Sequence, residues 1–192
     1  MKIAAHQPEH FPYLGFFQKM KEADIFVILD DVQYTKGNFQ NRNQFKNKNG
    51  VDEWFTIELE QHANKKLINE VIVSENPKWK SIILNKLKTN FSVNLEHIYN
   101  HKKLIDINLE SINYCREKLN IDTPLVFSST LNLKTNGSQK LSDMCDNLNA
   151  TEYISGLGAK KYLDESIFKC KVNFFLAHIT DSILISINLL YE

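Results

Sequence analysis

Residues 2–31, KIAAHQPEHFPYLGFFQKMKEADIFVILDD, decide the fold. IFVILD at 25–30 is a continuous apolar run, short, β-branched and bounded by aspartates. It reads as a strand buried on both faces. KIAAH at 2–6 reads as another short buried strand. Between them Leu14, Phe17 and Met20 recur at helical spacing, so LGFFQKMKEAD reads as a helix. Strand, loop, helix and strand in this order make a βαβ unit, with a right-handed crossover.

Outward from this unit the pattern changes. FQNRNQFKNKNGVDEWFTIELE at 39–60 alternates around Asn49-Gly50, the strongest short signal for a hairpin. Strands are expected near 40–46 and 52–59, and LINEVIV at 67–73 reads as a further strand. Asn76-Pro77 suits a helix start, with proline at the first helical position. From there Trp79, Ile82, Ile83, Leu87 and Phe91 share a face. Helical patterns follow near 94–101 and 104–119. PLVFSST reads as a strand, Ser138 to Leu148 as a helix and TEYIS as a strand. The glycine turn GLG then leads into a helix through Leu163, and VNFFLAHI reads as the last strand. The expected fold is α/β: a mostly parallel Rossmann-like sheet with flanking helices and an inserted antiparallel β-hairpin. One domain is expected over 1–192, the hairpin insertion occupying about 38–60.

Composition narrows the function classes. Lys plus Arg equals Asp plus Glu at 23 each, so no net positive field is available to hold nucleic acid or an anionic membrane. MKIAAHQP has no apolar stretch long enough for a signal peptide. The apolar run near the C-terminus is broken by His178, Asp181 and Asn188, so no membrane span is expected. Cys115, Cys145 and Cys170 sit in apolar-periodic segments and read as buried reduced thiols, which suits a cytoplasmic protein.

Ligands of parallel α/β sheets bind beyond the carboxyl ends of the strands. Three polar clusters fall there. In the first, Pro8 and Pro12 stiffen a loop that carries His6, Gln7 and His10 toward a helix start. The structural alternative is a strand-end histidine satisfied by its backbone. A zinc pair is disfavoured, because no cysteine or third histidine is near. The corner is loosely similar to the strand-to-helix corners of nucleotidyltransferase and adenylate-forming folds. Its spacing, H-x-x-x-H-x-x-x-x-G, differs from their H-x-G-H. In the second cluster Asp30 and Asp31 end a strand, and Gln33, Lys36, Asn41, Arg42 and Asn43 supply donors. Arg42 can clamp a carboxylate or phosphate bidentately, and Lys36 can neutralise one. In the third, YISGLGAKKYL, Ser155, Gly156 and Gly158 lie between a strand and a helix, a layout for a small anion cradle that plain turn geometry explains equally well.

In order along the chain stand HQP, P-x-x-G-F-F-x-K ending at Lys19, AD-x-F-V-x-L-D-D-V-Q and K-G-x-F-x-N-R-N. SSTL and YISGLGAKKYL, with Tyr162, follow. Together they resemble the WbqC-like protein family over nearly the whole chain. The end departs from the family pattern: ISINLLYE arrives early, with asparagine where an aspartate is usual. The resemblance implies a place in bacterial O-antigen or other surface-polysaccharide synthesis, in making or decorating an amino sugar. The expected activity is transfer of an acyl or aminoacyl group to the amine of a nucleotide- or carrier-linked amino sugar. His6 or His10 would be the base, and Asp30 or Asp31 would orient it. Lys36 and Arg42 would bind the anionic part, and Gln7, Asn41 and Asn43 would donate to an oxyanion. An ATP-dependent nucleotidyltransferase or acyl-adenylate ligase and a non-catalytic sugar-nucleotide-binding module are the alternatives. No metal is expected, and the co-substrate is an acyl donor or, in the ligase reading, ATP.

Overall fold

Five strands pair in parallel in the order β5-β2-β1-β6-β7. They are β1 (Lys2–His6), β2 (Ile25–Ile28), β5 (Leu125–Phe127), β6 (Glu152–Gly156) and β7 (Lys171–Phe175). The computed structural model describes residues 1–177. The ISINLLYE tail and the end of the expected VNFFLAHI strand lie outside the described residues. The chain divides into two units. The first holds Met1–Gln7, Leu14–Asp30 and the described residues from Asn120 on; the second holds Pro8–Tyr13 and Asp31–Leu119.

The first unit carries the parallel sheet. Counted along this sheet alone, the strands run third, second, first, fourth, fifth, the Rossmann order, with the direction of winding reversing between β1 and β6. Alternate residues of β1 serve opposite faces. Ile3 and Ala5 join Val27, Tyr153, Met144 and Cys145 in one apolar cluster, beneath helix α4 (Gly137–Asn147). The other face meets helix α1 (Leu14–Lys21), where Phe16 packs edge-on to Phe26 at 5.0 Å and to the His6 ring at 5.1 Å. A strand covered on both faces needs apolar residues throughout, which is why IFVI carries no polar side chain.

The second unit is built on the hairpin of β3 (Arg42–Lys46) and β4 (Asp52–Thr56), antiparallel with Arg42 opposite Thr56. Gly50 takes φ 74, which its missing Cβ permits. Asn47 Oδ1 closes the turn by accepting from the backbone N–H of Asn49 and of Val51. Phe45 is buried and stacks on Phe55 at 4.2 Å between centroids. Helices α2 (Lys78–Phe91) and α3 (Leu104–Lys118) complete this unit.

Several expected elements are shorter or different. LINEVIV forms a 3₁₀ turn at Ile68–Glu70 and three isolated bridges, at Leu67, Ile72 and Val73, rather than a strand. Residues 94–101 hold only a 3₁₀ turn, Glu96–Tyr99. The segment after β6 is a 3₁₀ turn, Leu157–Lys161, not an α-helix. The Leu157–Lys161 turn buries none of its residues, so no packed apolar face holds a longer helix there.

Candidate functional site

The carboxyl ends of the parallel strands bring four groups to one edge of the first unit. His6 ends β1, and Ile28, beside it in register, leads into Asp30. Phe127 leads into Ser128 and Ser129, and Ser155 closes β6. In Rossmann-ordered sheets this edge, at the point where the winding reverses, is where ligands enter.

Asp30 is 5% exposed. Its Oδ1 accepts from the Ser128 hydroxyl at 3.2 Å and the Ser129 N–H at 3.0 Å, and its Oδ2 accepts from the Ser129 hydroxyl at 2.7 Å. The carboxylate therefore ties the end of β2 to the loop after β5. It shapes the edge rather than presenting a reactive oxygen.

His6 is half-buried, and its Nδ1–H donates to the Gln7 carbonyl at 2.9 Å. That bond makes Nε2 the ring's acceptor nitrogen. Burial above all, and next the charge of Lys19, push its pKa down to about 3; the bond to Gln7 opposes them. His6 is thus neutral across the physiological range. Lys19, 3% exposed, donates to the Ala5 carbonyl at 2.9 Å and lies 5.7 Å from the Phe26 ring centroid. Ser155 is buried on the sheet face opposite His6, in the same pleat parity as Tyr153. Gly156 has an ordinary φ of −72, and a Cβ at Gly156 or Gly158 would meet nothing. The glycines are not needed for close approach, and Tyr162 is 73% exposed. The third cluster is a turn.

The proline-rich corner, Pro8–Tyr13, belongs to the second unit and is clamped there. Asn43 Nδ2 donates to the carbonyls of His10 and Phe11, at 3.1 and 2.8 Å. Asn108 Nδ2 donates to those of Pro8 and Gln40, and Ser111 Oγ accepts from the Phe11 N–H. Phe11 is held at φ 46, a position an apolar residue occupies only under such constraint. His10 is fully buried, with Nε2 3.1 Å from the Tyr99 hydroxyl and its ring edge-on to Phe11, Phe55 and Tyr99. Burial lowers its pKa to about 3. The expectation of His10 as a base meets a core side chain, closed to solvent. Asn43, expected as an oxyanion donor, spends its amide on the corner.

The remaining residues of the second cluster separate by role. Asn41 Oδ1 accepts from the Tyr34 hydroxyl and its Nδ2 donates to the Ile57 carbonyl. Gln33 donates to the Asn64 carbonyl. Asp31 is half-buried. Lys36, Asn41 and Arg42 line one cavity of the second unit.

The family model of the WbqC-like protein family matches residues 7–179. The chain belongs to the WbqC-like family. It is 30% identical over 180 residues to the uncharacterized protein Rv1507c of Mycobacterium tuberculosis, covering 87% of this chain and 77% of that one. No solved structure matches it.

For this WbqC-like chain the sequence motifs thus contain two kinds of residue. His6, Lys19 and Asp30 stand at the sheet edge, whereas His10, Asn41 and Asn43 hold backbone or fill the core. Asn108 and Tyr99 carry no signal in the sequence, and Ser128 and Ser129 enter it only within the SSTL segment, with no role attached. The two serines directly after the strand PLVF were the available signal. Among the described residues no three or more His, Cys, Asp or Glu are grouped to hold a metal ion. No described helix is long and apolar enough to cross a membrane.

Proposed function

We propose that this WbqC-like protein is a transferase of bacterial surface-polysaccharide synthesis. It would move an acyl or aminoacyl group onto the amine of a nucleotide- or carrier-linked amino sugar at the β1–β6 edge. The observation that carries this reading is His6. Its ring is neutral, its tautomer is set by the Gln7 carbonyl, and it stands where the sheet's winding reverses. In the step, the sugar amine attacks the carbonyl carbon of an activated ester or thioester. The N–C bond forms and the C–O or C–S bond to the leaving group breaks. The proton lost by the amine passes to His6 Nε2 and from there to the leaving alkoxide or thiolate. The bound diphosphate brings negative charge against Lys19 and His6. That charge raises the basicity of His6 when substrate is present.

The strand order and the buried lysine of α1 also suit an ATP-dependent nucleotidyl transfer, in which Lys19 would face phosphate. The two readings separate in one assay. Purified protein is incubated with UDP-linked amino sugar and acyl thioester, or with ATP, magnesium and sugar phosphate, and products are read by mass spectrometry. N-acylated sugar formed without magnesium supports the transferase. Pyrophosphate release overturns it in favour of the second reading. No product in either arm, with sugar nucleotide still bound, leaves a binding module.

A further inference from the structure

The second unit contains a cavity of about 430 Å³ next to the base of the β3–β4 hairpin. Lys36, Arg42, Glu58, Glu60, Tyr34 and His62 are among the side chains that line it. Its volume suits a small organic ligand rather than a lone ion.

Arg42 is built to hold something. Its guanidinium lies over the Trp54 ring, 4.3 Å from the centroid, which fixes the plane of the fork. Its Nε is buried and has no hydrogen-bond partner. A buried donor left unsatisfied is costly, so native structures rarely carry one without a reason. Neither Arg42 nor Lys36 pairs with a carboxylate of the described residues, although Glu58 and Glu60 line the same cavity. Each carboxylate gives one oxygen to another neighbour. Glu58 Oε1 accepts from the Ser74 hydroxyl at 3.0 Å, and Glu60 lies 3.8 Å from Lys66. At the rim His62 holds φ 63, in the left-handed region that non-glycine residues enter at some cost.

Two cations and two carboxylates in one cavity select against simple ions. A free anion meets the glutamates, and a free cation meets Arg42 and Lys36. A molecule carrying both charges satisfies both sets, and rejects its singly charged analogues by leaving a group unpaired. We propose that this cavity binds a zwitterionic small molecule, with its carboxylate or phosphate on Arg42 and Lys36 and its ammonium on Glu58 and Glu60. The site stands independently of the transfer chemistry proposed at the sheet edge. An amino acid and an amino-sugar phosphate share this chemistry.

Isothermal titration of the full chain separates them. The probes are glucosamine 6-phosphate and L-glutamine, each beside its N-acetylated form, which lacks the ammonium. At least one zwitterion should bind, and its N-acetylated form should bind about tenfold more weakly or worse. Arg42→Ala and the double variant Glu58→Gln, Glu60→Gln should each lose a similar factor. Binding of only glucosamine 6-phosphate assigns the amino sugar, and binding of only glutamine assigns the amino acid. The proposal is overturned if neither zwitterion binds at about 10 mM, if acetylation changes nothing, or if the variants bind as wild type. Should Arg42→Ala fail to fold, Lys36→Ala reads the same anionic contact, because Lys36 is exposed and bonded to no described residue.

Discussion

Lys19 Nζ donates to the Ala5 carbonyl at 2.9 Å, one residue before His6. A buried ammonium is thereby fixed beneath the end of β1 by a helix that follows directly from the proline-rich corner. Its charge is the second cause of the low pKa of His6.

Lys19→Met should therefore move the His6 titration upward from about 3 toward the usual histidine value. Methionine keeps the length and removes the cation. Ring proton shifts followed by NMR against pH read the change. An unmoved titration would show that burial alone sets it.

His6 and His10 are both neutral in the folded protein, with pKa values near 3 against an unfolded value of 6.5. Between pH 6.5 and 3 the unfolded chain binds more protons, so stability is complete above 6.5 and falls as pH drops toward 3. The slope approaches about 1.4 kcal/mol per pH unit for each histidine. Urea unfolding from pH 7 to pH 4 measures it, and His10→Phe should flatten the curve. An identical slope in that variant would remove His10 from the account.

His6→Ala should cost on the order of 1 kcal/mol of stability, since a half-buried hydrogen-bonded group contributes modestly. The same variant should lose transfer activity. His10→Ala should do the reverse and destabilise by about 2–4 kcal/mol, as a fully buried ring leaves a cavity. Thermal melts paired with the mass-spectrometric assay separate the two. Full activity in His6→Ala would make the strand end structural.

Asp30→Ala removes the carboxylate that accepts from the Ser129 N–H and from two serine hydroxyls. A loss of about 2–3 kcal/mol is expected in denaturant unfolding, against about 1 for Ser129→Ala. Equal small effects would mean that the β2–β5 tie is dispensable.

Asn43→Ala and Asn108→Ala each release two buried carbonyls of the second unit. Each should cost about 1–3 kcal/mol, and hydrogen exchange at Phe11 should rise in both. Protection unchanged at Phe11 would show that the prolines alone hold the corner.

The βαβ unit, the parallel sheet and the hairpin were legible in the sequence because each rests on a local pattern. IFVI is apolar without alternation, Leu14, Phe17 and Met20 keep helical spacing, and Asn49-Gly50 marks a turn that needs a positive φ. The sequence also places His6 and Asp30 at strand ends, and there they stand. It did not separate His6 from His10, four residues apart in one stiff loop. That distinction depends on Tyr99, Phe55, Asn43 and Asn108, which lie 32 to 100 residues away from the corner atoms they meet. It did not show that Asp30 is spent on Ser128 and Ser129 or that Lys19 is buried. The 3₁₀ turns where strands and helices were expected have the same origin. Periodicity records which side chains are buried, but hydrogen-bond partners and solvent access are set by residues distant in sequence. A polar side chain becomes a site or a clasp only when those residues arrive.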